Sequence, residues 1–262
     1  VSEGTVRVRM TVAYDGSGFH GFAPQSGQRT VAGALAGAME AVVGEPVRLT
    51  CAGRTDAGVH AWGQVVHADL PAVVGRRRRP LDAAALGRSC TAMLGPEVVV
   101  REAVVADPRF DARRCAVSRC YRYWIHQAPF PDPWLARWTW HLTTRLELRA
   151  MEAATDPILG EQDFSAFCRR PPAGGSLVRR VKEARWTRQV APSGDLLCFH
   201  IEASSFCHQM VRSLVGLLVE VGRGRRRAGE VSWVLRSGDR SLAASPAPPH
   251  GLCLWEVRYP KP

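Results

Sequence analysis

The chain has 262 residues, 46% of them apolar, and a formal net charge of +11. That length suits two domains, the apolar share rules out a disordered chain, and no apolar stretch, Leu214–Val221 included, is long enough for a membrane span. The positive charge is arginine in all but Lys182 and Lys261, which suggests a polyanionic partner, because arginine grips phosphate in a bidentate way and stacks on bases.

The opening VSEGTVRVRM lacks the apolar core of a signal peptide, so the expected setting is a soluble, cytoplasmic one. Val6–Tyr14 alternates Val6, Val8, Met10 and Val12 and is predicted as a strand. Tyr14–Gln28, YDGSGFHGFAPQSGQ, is a glycine-rich loop carrying Asp15, Phe19, His20 and Phe22. It is no Walker phosphate loop, since no G-K-[ST] follows. Its aromatics suit either base stacking or anchoring of the loop on the core. Thr30 is placed to cap a helix over Val31–Val43, with Val31, Leu35, Met39 and Val42 on one face and Gly44 as the stop.

Strands are predicted at Val47–Ala52 and Gln64–Asp69, on either side of GRTDAGVHAWG. Gly53 and Gly58 bracket Asp56, and glycines so close permit a tight turn that pushes the carboxylate outward. Arg54 lies two residues before it and His60 four after. A carboxylate beside a guanidinium suits a nucleophile or a base, because the cation offsets desolvation. An aspartate in a turn also commonly bonds nearby backbone amides, with no chemistry attached. Arg76–Arg79, ahead of Pro80, reads as a basic loop open to solvent or to phosphates. A helix over Leu81–Leu94 and a strand over Glu97–Val105 complete a β-α-β-β-α-β order, the ferredoxin-like arrangement.

Asp107-Pro108 marks the expected boundary between an N-terminal domain, 1–107, and a C-terminal one, 108–262. After the arginine-rich connector FDARRCAVSR, Cys120–Gln127 alternates as a strand, with Tyr121, Tyr123 and Ile125 on one face. Ala128–Trp140 is expected as a loop packed on the surface, and Arg145–Thr155 as a helix. Strands Leu177–Val190 and Asp195–Ser204 flank Pro192-Ser193-Gly194, a hairpin signal. A helix over Cys207–Val221 buries Met210, Val211, Leu214, Leu218 and Val221 and leaves Arg212 off that stripe. A basic cluster, Arg223–Arg227, precedes a short helix over Ala228–Arg236, and Gly251–Tyr259 closes as a strand. The fold class expected is α+β: two ferredoxin-like halves with antiparallel sheets side by side and a ligand cleft between them. The eight cysteines form no C-x-x-C pair and are expected as free, mostly buried thiols, without a metal.

Several stretches resemble the TruA family of tRNA pseudouridine synthases: Ala52–Gln64, YDGSGFHGF (Tyr14–Phe22), FDARRCAVSRCYRY (Phe110–Tyr123), FCHQMVRSLVGLLVEVGRG (Phe206–Gly224), DRSLA (Asp239–Ala243) and PHGLCL (Pro249–Leu254). They run in family order across nearly the whole chain. Where the family usually carries an Asn in an N-x-L-L-P run, this chain has Thr91-Ala92-Met93-Leu94-Gly95.

The resemblance implies an enzyme that isomerises uridine to pseudouridine at positions 38, 39 and 40 in the anticodon arm of tRNA. It implies no cofactor, no metal and a homodimer. By motif, Asp56 is the nucleophile, Arg54 is the arginine of the G-R-T-D motif, and Arg212 is the cation that pairs with the aspartate. Tyr121 packs against the target base, and the expected substrate contacts also include Arg54, His60, Phe22 and Leu254. A non-catalytic RNA-binding module on the same scaffold is the competing expectation; the intact G-R-T-D-A-G setting of Asp56 argues against it. A metal-dependent nuclease or deaminase would need clustered ligands such as H-x-E with C-x-x-C, which are absent from the sequence.

Overall fold

The computed structural model describes residues 4–74, 78–169 and 174–260. It is a mixed α+β chain that divides into two compact units, Val1–Val117 with Leu254–Pro262, and Ser118–Cys253. The break therefore falls ten residues later than Asp107-Pro108, and the end of the chain returns to the first unit. Side-chain and backbone bonds explain the difference. Arg7 Nη1 donates to Phe110 O at 2.8 Å, Ala112 N–H to His67 Nδ1 at 3.0 Å, and Val117 N–H to Arg258 O at 2.8 Å. The Phe110 ring lies 5.0 Å from that of Tyr259. The arginine-rich connector is thus packed on the first unit instead of linking two bodies.

The first unit runs β1 (Thr5–Tyr14), α1 (Val31–Val43), β2 (Thr50–Cys51), β3 (His60–Pro71), β4 (Val73–Val74), β5 (Arg79–Pro80), α2 (Ala83–Leu94) and β6 (Val98–Val105). β1 pairs antiparallel with β3 on one side and β6 on the other, and β2 lies beside β3. Val8, Met10 and Val12 of β1 are buried together with Leu35 and Met39 of α1 and Leu86 of α2. Each such side chain contributes about 1.5–3 kcal/mol on full burial. The caps follow the sequence. Thr30 Oγ1 accepts from Gly33 N–H at 3.3 Å, Gly44 ends α1 at φ +85°, and Asp82 Oδ1 accepts from Ala85 N–H at 2.9 Å.

Two strand bounds differ from expectation. Val47 gives its N–H to Glu40 Oε1 at 2.9 Å, so strand pairing starts only at Thr50. β3 begins at His60, four residues before the expected start at Gln64 and upstream of Gly63. Gly63 is therefore interior: a Cβ there would come within 2.5 Å of Trp255 O, so the glycine permits close approach of backbones. In the four-arginine stretch, Arg76 and Arg77 lie outside the described residues, while Arg79 pairs with Val74 in the small β4–β5 ladder.

The second unit runs β7 (Ser118–Gln127), β8 (Trp140–Leu142), α3 (Leu148–Thr155), β9 (Gly160–Asp163), β10 (Val178–Ala191), β11 (Gly194–Ala203), α4 (Met210–Gly222) and α5 (Glu230–Ser237). A closing strand, β12 (Leu252–Arg258), starts in this unit and passes into the first. Antiparallel pairing gives the order β7-β11-β10-β9, and β8 pairs parallel with β7. The expected buried face of α4 is buried, along with Val215, Leu217 and Val219. The loop 128–140 is less packed than expected, since Phe130 and Trp134 are 80% and 86% exposed. Cys168 and Cys207 form a disulfide, which corrects the expectation of free thiols throughout; the other six cysteines are free. No helix among the described residues is long and apolar enough to cross a membrane.

Candidate active site

Asp56 occupies a turn between β2 and β3 that is tied down at nearly every residue. Ala52 N–H bonds Val65 O at 2.8 Å, Phe22 N–H bonds Thr55 O at 3.1 Å, and Val59 N–H bonds Asp56 O at 3.1 Å. Gly58 adopts φ +75°, the left-handed conformation that glycine takes without strain, and this closes the turn immediately after the carboxylate. Along the turn Arg54 is exposed, Thr55 is buried and Asp56 is half-buried.

The loop after β1 wraps this turn. A Cβ on Gly16 would fall on Val59 O, so only glycine allows the two backbones to touch. Gly21, at φ +87°, lies under Thr55 O in the same way. His60 Nδ1 faces both Gly16 N–H, at 3.0 Å, and Asp15 Oδ1, at 3.2 Å. A bare Nδ1 accepts the amide hydrogen, and a protonated one donates to the carboxylate. Burial pushes the Cys51 thiol up at the root of the turn, against the opposing positive field of Arg54.

Three side chains that sequence reasoning did not single out complete the support. Tyr14 Oη lies 2.8 Å from Thr55 Oγ1, and Gln64 Nε2 donates to Gly53 O at 2.7 Å and to Tyr14 Oη at 3.4 Å. One signal was available: Gln64 is a polar residue at a core position of a strand whose following even positions, Val66, Ala68 and Leu70, are apolar.

In the second unit Tyr121 lies on β7 opposite Ile201, with its ring edge-on to Phe206 at 5.0 Å. Arg212 stands in the first turn of α4, where its Nε donates to Ala247 O at 2.7 Å and its own carbonyl accepts from Ala247 N–H at 2.9 Å. These two bonds lock the arginine to the segment before Pro248. Tyr123 donates its hydroxyl to Pro248 O at 2.9 Å, and burial pushes this phenol far up while the charge of Arg212 opposes the rise. His250 is held below the ordinary histidine range, first by burial and also by Arg212, against a backbone hydrogen bond with Thr139 that raises it.

The first unit thus gathers Asp56, Arg54, His60 and Phe22 around one turn. Among the expected substrate contacts, His60, Phe22 and Leu254 are 4%, 2% and 0% exposed and Tyr121 is 8% exposed. The Phe22 ring packs 6.1 Å from Tyr14, so it anchors the loop. Among the described residues no group of three or more His, Cys, Asp or Glu is placed to hold a metal ion. A half-buried carboxylate on a hydrogen-bonded turn, two residues after an exposed arginine, is equipped for nucleophilic attack or proton abstraction on an anionic substrate.

Residues 154–260 match a family model described as tRNA pseudouridine synthase. The chain is 44% identical to tRNA pseudouridine synthase A of Frankia casuarinae, over 99% of this chain and 92% of the relative. It is 41% identical to the protein of that name from Mycobacterium leprae, over 97% and 90% of the two chains. With the Bacillus subtilis protein of that name the identity is 35%, over 97% and 99%.

Proposed function

The chain belongs to the tRNA pseudouridine synthase A family, and from that premise we propose that Asp56 is the nucleophile with which it isomerises uridine to pseudouridine in tRNA. The reaction breaks the C1′–N1 bond, turns the uracil over and joins C5 to C1′. The hydrogen on C5 leaves as a proton and N1 takes one up, so substrate and product are isomers and no electrons are exchanged. Attack by the carboxylate splits one hard step into two through a covalent intermediate, and its departure regenerates the enzyme. Arg54 and Arg212 supply positive charge to the nucleophile and the RNA, and Tyr121 gives the detached base an aromatic face.

The target uridine leaves its stack to react, which costs a few kcal/mol and less in a strained loop. Positions 38, 39 and 40 are the sites assigned. The net charge of +11 supports binding of the tRNA backbone. The working form is a cytoplasmic homodimer built from ferredoxin-like halves, and it uses neither metal nor organic cofactor.

The observation that carries the nucleophile reading is the turn itself: Asp56 is half-buried while the carbonyls of Thr55 and Asp56 are both bonded. Replacement by Asn keeps the size of the side chain and removes its charge and nucleophilic oxygen pair. Asp56→Asn is expected to abolish pseudouridine formation, a loss of at least about a thousandfold, with tRNA affinity changed by less than about threefold. Turnover near that of the unchanged enzyme would overturn the assignment.

A further inference from the structure

Gln64 is fully buried on β3, in line with Val66, Ala68 and Leu70, where an aliphatic side chain would complete the core. Its Oε1 has no hydrogen-bond partner among the described residues, and an unmet buried acceptor is destabilising. Core filling does not account for such a residue. Its other end does: Nε2 holds Gly53 O at 2.7 Å and reaches Tyr14 Oη at 3.4 Å. Tyr14, 4% exposed, carries the chain of contacts to Thr55 Oγ1 at 2.8 Å, and Thr55 is 6% exposed.

We propose that Gln64, Tyr14 and Thr55 act as a hydrogen-bonded clamp of positioning residues that aims Asp56 for the chemical step, a role that rests on reading Asp56 as the nucleophile. The clamp grips Gly53 by its carbonyl and Thr55 by its hydroxyl, the two residues that bracket Arg54 and lead directly into Asp56. Phe22 N–H holds Thr55 O from the opposite loop. The backbone before the carboxylate is therefore held at the Gly53 and Thr55 carbonyls and, through its side chain, at Thr55. The clamp acts through Asp56 and does not touch RNA, so its loss falls on kcat and spares KM.

The test compares Tyr14→Phe, Thr55→Val, Thr55→Ser and the double variant Tyr14→Phe/Thr55→Val, with melting temperature, KM and single-turnover rate on a tRNA transcript. Tyr14→Phe and Thr55→Val are each expected to lower the rate about 10- to 100-fold, the scale expected for a displaced reacting group, with KM within about threefold. Thr55→Ser keeps the hydroxyl and should recover most of what Thr55→Val loses. The double variant should be no slower than the slower single, because both break the same link. A folded Tyr14→Phe enzyme with an unchanged rate would overturn the clamp. So would a loss confined to KM, a Thr55→Ser enzyme as slow as Thr55→Val, or singles whose effects multiply. Should Thr55→Val fail to fold, Tyr14→Phe measured beside Gln64→Met makes the same comparison. An Asp56→Asn control run in parallel separates the two readings. If it is active, the nucleophile assignment falls; if it is inactive while Tyr14→Phe runs at full rate, only the clamp falls.

Discussion

Asp56 stands in a turn held by buried polar side chains, Tyr14, Thr55, His60 and Gln64, whereas Arg212 leads a helix whose buried residues are almost all apolar. In the turn, position comes from hydrogen bonds a few tenths of an ångström either side of 3 Å, so single atoms matter. In α4 it comes from buried area, and the bond from Arg212 Nε to Ala247 O orients the guanidinium. Changes to the turn should therefore be felt in rate before stability, and changes around α4 in stability before rate.

The Cys168–Cys207 bond offers the largest test on the α4 side. It closes a separation of 39 residues, and chain entropy puts its contribution at up to about 4 kcal/mol. Dithiothreitol or Cys168→Ser should lower the denaturation midpoint, while the rate per folded molecule stays largely unchanged. In a reducing compartment both thiols are free, so the reduced protein gives the stability that matters there. A large loss of rate without loss of stability would break the contrast.

A matched pair of glycines sharpens it. A Cβ at Gly16 would collide with Val59 O, behind the Asp56 turn, and one at Gly216 with Ser245 O, beside α4. Each Ala variant should lose about 3 kcal/mol of stability, since backbone must move. Gly16→Ala should also be slow per folded molecule, and Gly216→Ala much less so. Equal loss of rate in both would mean that the two regions are not held differently.

The smallest effect expected is that of pH. Burial lowers the pKa of His67, in the first unit, and of His200 and His250, in the second, below the ordinary 6.5. A histidine whose folded pKa is depressed adds stability that is complete above its unfolded value and is lost as pH falls through the folded one. Denaturation midpoints measured from pH 8 down to pH 5 should accordingly decline below about 6.5. Replacing His200 and His250 with Gln should flatten the decline more than replacing His67 alone.

The turn was easier to read from the sequence than its supports. Gly53, Asp56 and Gly58 lie within six residues, and short-range glycine spacing is a local property. Thr30 as a cap, Gly44 as a stop and the apolar stripe of α4 are local too, and all appear in the structure. Tyr14 lies 41 residues from Thr55, and Arg212 lies 35 from Ala247; no local pattern announces such pairs. The start of β3 ahead of Gly63 was hidden for the same reason, because what that glycine accommodates is Trp255, far along the chain. The boundary near Asp107-Pro108 was misjudged because the bonds from Arg7 and His67 to the connector are equally remote in sequence.

The most direct test of the account is site-resolved pseudouridine mapping on unmodified tRNA incubated with purified enzyme or with Asp56→Asn, with binding of the same tRNA measured alongside. New pseudouridine at positions 38 to 40 with the unchanged enzyme, none with Asp56→Asn, and similar tRNA binding by both are predicted. Pseudouridine formed at similar rates by both proteins would contradict the claim that the Asp56 turn carries the chemistry.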